Sequence, residues 1–258
     1  MQDFYTSQNF KIPTESADYP AASGYVISQI EAILQEAIDS GRNRIIINTN
    51  LRRGIPMENV NKIAGPFVEA WAGELFEHIA DTPDNGWDLI HIETCQRLNM
   101  ADVILQFRHR TSMGEMVSAN VDVKATAEDF NNSGKSPNIT SFERIRNAYV
   151  EDPDYLFIIL SLKHRVYGER DNGTGLFNGV MEIVRYSAYD LKYISENDIS
   201  YNPALGTGQL QIKDIHYVTT TQRNTWEFCQ MIDKMYISSS KHTAEDWLEL
   251  AKKNEWVK

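Results

Sequence analysis

Ala101-Asp102-Val103-Ile104-Leu105-Gln106-Phe107 and Val117-Ser118-Ala119-Asn120-Val121-Asp122-Val123-Lys124-Ala125 decide how the chain folds. Both runs are rich in β-branched residues, and the polar segment Arg108 to Gly114 between them has the composition of a hairpin turn. Trp87 to Glu93 has the same β character, so three consecutive strands make an antiparallel meander. Alternate residues of a strand face the same side, so Asp122 and Lys124 point together. Pairing around the turn brings Asp102 towards Asp122.

Outward from this meander, Ser23 to Ser40 carries Val26, Ile27, Ile30, Ile33, Leu34, Ala37 and Ile38 at helical spacing, with Gly41 placed to end the helix. Arg44 to Ile47 is a short β-branched strand. A helical stretch then starts at Pro56 and runs to about Ala80, interrupted at Gly65-Pro66, where a fresh helix starts. Ser141 to Val150 predicts a helix capped by Ser141, and Tyr155 to Leu162 an apolar strand. A Gly-rich turn spans Gly168 to Gly179. Further strands run to about Tyr189 and from Gln209 to Val218, followed by helices near Thr225 to Met235 and Thr243 to Lys252. The class is α+β (mixed α/β), a central mixed sheet flanked by helices, most simply one domain over 1–258.

The 258 residues include 42% hydrophobic and 24% charged positions, the balance of a globular protein. Two cysteines, Cys95 and Cys229, are too few for a disulfide framework and suit a reducing cytoplasm. The polar start, Met1 to Phe10, has no export signal, and no run approaches the roughly 20 apolar residues that cross a bilayer, so no membrane association is expected. The net charge of -11 counts against nucleic-acid binding unless cations are gathered locally. The six histidines are scattered without metal-ligand spacing and read mostly as surface or capping residues. The short Gly-Thr-Gly segments at 173–175 and 206–208 lack the lysine or third glycine of a phosphate cradle.

Two carboxylates, Asp102 and Asp122, with the main-chain carbonyl of Val123, form an oxygen cage suited to magnesium, and the Lys124 ammonium stands beside it. That set fits phosphodiester hydrolysis, in which a metal polarises the phosphoryl group while a lysine orients water or steadies charge. Glu69, or else Glu74, supplies a further carboxylate. An acid-x-Lys triplet alone is weak evidence, because a cross-strand ion pair has the same spacing. The chain holds a second triplet, Asp190-Leu191-Lys192, which reads as solvated surface. After the first triplet comes a polar loop, Ser133 to Ser141, with many short donors and acceptors able to reach base edges or phosphates, followed by Arg144 and Arg146.

Asp102, Asp122-Val123-Lys124 and the loop ending Pro137-Asn138-Ile139-Thr140-Ser141-Phe142 resemble the blunt-cutting type II restriction endonucleases of the PD-(D/E)xK superfamily, in the branch around EcoRV, HincII and HpaI. The likeness to the HpaI type extends to Asn48 to Leu51, Asn61 to Pro66 and Tyr201 to Gln209. It implies a magnesium site on Asp102 and Asp122 and a water-assisting role for Lys124. It also implies DNA contacts from Lys135, Ser136, Asn138, Thr140 and Ser141, and from a second recognition segment at about 200–225 carrying Asn202, Ala204, Gln209 and Gln211. The catalytic core falls at about 56–165. One departure is Met100-Ala101 where the family usually has a proline before the first aspartate. The expected activity is magnesium-dependent cleavage of a palindromic double-stranded site by a homodimer in a bacterial cytoplasm, GTTAAC cut centrally to blunt ends. The alternatives are a non-catalytic sequence-specific DNA-binding protein and a structure-specific DNA repair nuclease.

Overall fold

The computed structural model describes residues 9–54, 56–96, 99–111, 114–130, 132–204 and 206–257. Ser112 and Met113 at the tip of the expected hairpin, Asn131 in the polar loop and Leu205 in the second recognition segment lie outside the described residues, as does most of the polar start. The contacts divide into two compact units. One comprises Met1–Pro20, Ser136–Leu156 and Leu191–Lys258; the other, Ala21–Lys135 and Phe157–Asp190. The chain has the expected α+β character.

The unit built around Ala21–Lys135 holds a six-stranded sheet in the order β1-β7-β6-β4-β3-β2. Its strands are β1 (Arg44–Ile47), β2 (Leu89–Thr94), β3 (Val103–Thr111), β4 (Gly114–Ala127), β6 (Leu156–Arg170) and β7 (Phe177–Asp190). Strands β2, β3 and β4 form the antiparallel meander read from the sequence. Val117, Ala119, Val121 and Val123 of β4 are buried on one face, so the residues between them are aimed at the other. Helix α1 (Tyr19–Asp39) buries Val26, Ile30, Ile33, Leu34 and Ala37, as its spacing required, and Gly41 follows it at φ 73°.

Helices α2 (Met57–Lys62) and α3 (Ala64–Ala80) divide at Ile63, not at Gly65-Pro66. Pro66 sits in the first turn of α3, where a helix needs no N–H donor, so the proline starts this helix without breaking it. The Gly-rich turn is also shorter than the glycines suggest. Gly168 and Gly179 are paired within the β6–β7 ladder, which runs to Arg170 and Phe177. The turn itself is tied by the Asp171 carboxylate, which accepts from the main-chain N–H groups of Gly173 and Thr174 at 2.9 and 2.7 Å.

The other unit holds a three-stranded antiparallel sheet, β5 (Asn138–Ser141), β9 (Gln209–Ile212) and β8 (Ile199–Asn202), with β9 in the middle. Strand β9 ends well before Val218, because Asp214 turns the chain by accepting from the His216 and Tyr217 N–H groups. Helices α4 (Phe142–Glu151), α5 (Thr225–Ile237) and α6 (Ala244–Lys253) start at side-chain caps from Ser141, Asn224 and Thr243. Such caps each contribute about 1 kcal/mol.

Arg146, which follows the loop expected at DNA, and Lys192, read as solvated surface, both belong to this unit's interior. Arg146 is fully buried, donating to both carboxylate oxygens of Asp233, with its guanidinium 4.9 Å from the Trp256 ring centre. Lys192 is fully buried as well, bonded to Glu15 and Thr225 Oγ1 and 3.0 Å from the centre of the Tyr19 ring. The second acid-x-Lys triplet is therefore not solvated surface; Asp190 too is buried and accepts from Ser23 Oγ at 2.7 Å. Of the histidines, read mostly as surface or capping residues, His164 is buried, with Nε2 3.1 Å from Asn61 Oδ1. Replacing Asp233→Ala leaves an uncompensated buried guanidinium, a change expected to lower stability by about 3–5 kcal/mol. Urea unfolding of the variant beside the parent measures it, and a loss below about 1 kcal/mol would show that Arg146 finds solvent.

Candidate active site

Strand register assembles the acidic cluster. Val103 of β3 faces Val121 of β4, and the pairing continues outward as Asp102 N donates to the Val121 carbonyl at 2.9 Å. Asp102 thus sits opposite Asp122, and its Oδ2 accepts from the Val123 N–H at 2.7 Å. On the face away from the Val121 and Val123 side chains, Lys124 Nζ donates to Asp122 Oδ1 at 2.7 Å. The other oxygen, Asp122 Oδ2, is buried without a hydrogen-bond partner among the described residues.

Burial pushes the Asp122 carboxyl up to about 7; Lys124 opposes the shift, and the negative charges of Asp102 and Glu69 add to it. Glu69, on α3, is also raised, first by burial and then by Asp102. Three carboxylates therefore repel one another around one ammonium. Glu69 and Glu74 both line an open cavity of about 670 Å³ with Asp102, but Glu69 is the one felt electrostatically by Asp102, Asp122 and Lys124. The helix approaches the strands closely here: a Cβ on Gly73 would lie 3.7 Å from Thr94 Cγ2 and 4.0 Å from Val103 Cγ1. Glu77 and Cys95, which the sequence reading passed over, line the same cavity. Glu77 was findable, because Pro66, Glu69, Gly73 and Glu77 recur at one-turn spacing along α3.

Among the described residues no three His, Cys, Asp or Glu side chains come together as a ready cation cluster. The donors nonetheless fit a hard divalent cation. They are carboxylate and main-chain oxygens, one carboxylate oxygen has no partner, and the surrounding charges favour added positive charge.

The residues expected at DNA lie in the other unit, apart from the exposed Lys135. Segments far apart in sequence meet there: Asn138 pairs with Gln211 and Gln211 with Ser200, while Ser141 pairs with Gln209 and Gln209 with Asn202. Leu210, Ile212 and Ile199 are buried between these positions, so the amide and hydroxyl side chains share the opposite face. Ser136 is exposed at φ 50°, its N–H donating to the Lys213 carbonyl. Ala204 is exposed, its N–H held by Asn202 Oδ1 at 3.0 Å. Two expected contacts are placed otherwise. Thr140 is buried, 4% exposed, and Ser141 Oγ accepts from the Arg144 N–H as the cap of α4. Ser200 shares the polar face and was missed, since β8 is too short to announce itself by alternation.

The sequence profile described as "Type II restriction endonuclease HpaI" matches residues 6–255. The chain belongs to the HpaI family of type II restriction endonucleases. The type II restriction enzyme HpaI of Haemophilus parainfluenzae is 55% identical over 254 residues, covering 98% of this chain and 99% of that one. Among solved structures, the NlaIV restriction endonuclease aligns over 75% of this chain and 73% of its own with a TM-score of 0.37 and 14% identity. As an HpaI-family member the protein is a site-specific deoxyribonuclease, which sets aside the reading as a non-catalytic binder or repair nuclease. Restriction enzymes of this type bind double-stranded DNA and generally use a divalent metal. No helix among the described residues is long and apolar enough to cross a membrane.

The raised Asp122 pKa has a sign that can be measured in metal-free protein. Native Asp122 holds its proton more tightly than the unfolded chain does, so its ionisation removes stability as pH rises from about 4 through about 7. Asp122→Asn should therefore raise the stability in chelator at pH 8, by on the order of 1 kcal/mol or more and seen as a higher melting temperature, and the gain should fade at pH 5. Thermal melts at the two pH values check this; a variant less stable at both would show that the Lys124 pair outweighs burial.

Proposed function

We propose that the protein cleaves double-stranded DNA at GTTAAC, between its central base pairs, as a magnesium-dependent homodimer in a bacterial cytoplasm. The observation that carries the chemistry is Asp122 Oδ2, without a hydrogen-bond partner among the described residues, amid Asp102, Glu69 and Lys124. Magnesium bound there would supply Lewis-acid polarisation of the scissile phosphate and make water a better nucleophile. Asp102 and Asp122 would hold it, with the Val123 carbonyl adjacent in the chain. The Val123 N–H steadies Asp102, leaving its second oxygen for the cation. Lys124, relieved of its pairing with Asp122, would orient the attacking water and offset charge on the phosphate. Glu69 would accept a proton or hold the hydration shell at the cavity side.

Sequence reading would fall to Lys135, Ser136, Asn138, Asn202, Ala204 and Gln209, with Gln211 beside them on the same face. Amides suit this task, since asparagine and glutamine match the paired donor and acceptor of adenine, and Ala204 offers a methyl to thymine. The chain would act as one restriction-endonuclease-like domain, with its catalytic core at about 56–165 and second recognition segment at about 200–225. A palindrome offers two equivalent half-sites, and a two-fold dimer would present one catalytic centre to each strand.

Digestion of DNA of known sequence, with magnesium and with chelator, tests the assignment. Discrete magnesium-dependent fragments with blunt ends inside GTTAAC are expected; a smear, or ends elsewhere, would contradict the specificity. Lys124→Ala should lower the cleavage rate by about 10²-fold or more while leaving specific binding in calcium intact. Retained cleavage would remove the lysine from the chemistry. Sedimentation of the protein on a cognate duplex should give two chains per site, and a single chain would contradict the dimer.

A further inference from the structure

We propose that Gln211 is a positioning residue that sets which end of the Asn138 side-chain amide faces a bound duplex; the inference rests on the reading of the small sheet as the base-reading face. Gln211 Nε2 donates to Asn138 Oδ1 at 2.8 Å and to the Ser136 carbonyl at 3.2 Å. A primary amide has two N–H donors, so both are engaged inside the protein and none remains for a base. Only its oxygen is left for a base, so Gln211 cannot make the paired donor-and-acceptor contact itself. Asn138, exposed at the sheet edge, has its oxygen turned to Gln211, and its Nδ2 is the end that Gln211 does not engage. The ladder enforces this meeting, because Asn138 and Gln211 are register partners across β5 and β9. The same glutamine fixes the Ser136 carbonyl in the left-handed turn that leads into β5.

An amide held this way presents donors, which match the acceptors of the major groove: purine N7, guanine O6 and thymine O4. Bidentate contact with adenine also needs an acceptor, and the second lone pair of Asn138 Oδ1 supplies it only while the amide plane is held. In the free protein the bond is open to water and adds little to stability. Once a duplex covers it, the wrong amide orientation would set acceptor against acceptor at those base atoms.

The test compares wild type, Asn138→Ala, Gln211→Met, Gln211→Glu and the Asn138→Ala/Gln211→Met pair on duplexes altered at one base pair at a time, with magnesium present. Gln211→Met keeps the side-chain length and removes the donors, and it serves if the charged variant fails to fold. Gln211→Glu offers only acceptors, so the Asn138 amide should turn over. Gln211→Met should lose discrimination at the same base pair as Asn138→Ala, by about ten- to a hundredfold, and add nothing in the pair. Gln211→Glu should shift preference at that base pair alone. Replacing the purine there by its 7-deaza analogue should slow the wild type and leave Gln211→Glu unaffected. Equal loss on every duplex, loss at a different base pair, or additive effects in the pair would overturn the role of Gln211 while the wild type still cuts. A wild type that cuts no duplex would overturn the base-reading function and this role with it.

Discussion

The antiparallel register of β3 against β4 is the constraint on which the active site depends. It fixes Asp102 opposite Asp122, lets the Val123 N–H bind Asp102, and turns Asp122 and Lys124 to one face. Slipping by one residue would send Asp122 and Lys124 into the core face and bring Val121 and Val123 out, so burial of that valine row and placement of the site are the same event. Helix α3 then adds Glu69 at a distance where its charge is felt by Asp122. The product is a pocket with more negative charge than one lysine balances. Without a cation, Asp122 responds by holding a proton near neutral pH.

This arrangement also answers the objection raised by the acidic composition. Several cations are engaged within the protein: Arg146 and Lys192 are buried, and Arg42, Arg44 and Arg165 pair with glutamates. The face expected to read DNA is rich in amides and hydroxyls. Base-edge recognition needs directed donors and acceptors more than net charge, whereas phosphate attraction is general and weakened by salt. A net charge of -11 is thus compatible with selective binding, and it discourages binding to arbitrary sequence.

What was legible in the sequence was local. The period-two pattern around Asp122 and the nearby hairpin fixed the meander, and helix α1 followed from its apolar spacing. What was not legible depends on distant partners. Asn138 and Gln211 are 73 residues apart, and nothing in either segment announces that they pair. Lys192 looked solvated because polar residues follow it, yet its partners Glu15 and Thr225 come from remote parts of the chain. Arg146 likewise takes its meaning from Asp233. Thr140 and Ser141 carry the right chemistry for DNA, but one faces the buried side of its sheet and the other caps a helix.

If excess negative charge at Asp122 is what the divalent cation relieves, cation binding must displace a proton wherever that carboxyl is still protonated. Calorimetric titration of magnesium into the protein with a cognate duplex made uncleavable at the scissile bond, in buffers of different ionisation enthalpy, counts those protons. For a carboxyl near pH 7, about half a proton or more should be released per site at pH 6.5 and almost none at pH 8.5. Binding with no pH-dependent proton release, or undiminished binding after Asp122→Asn has been shown to fold, would place the cation elsewhere and contradict the account.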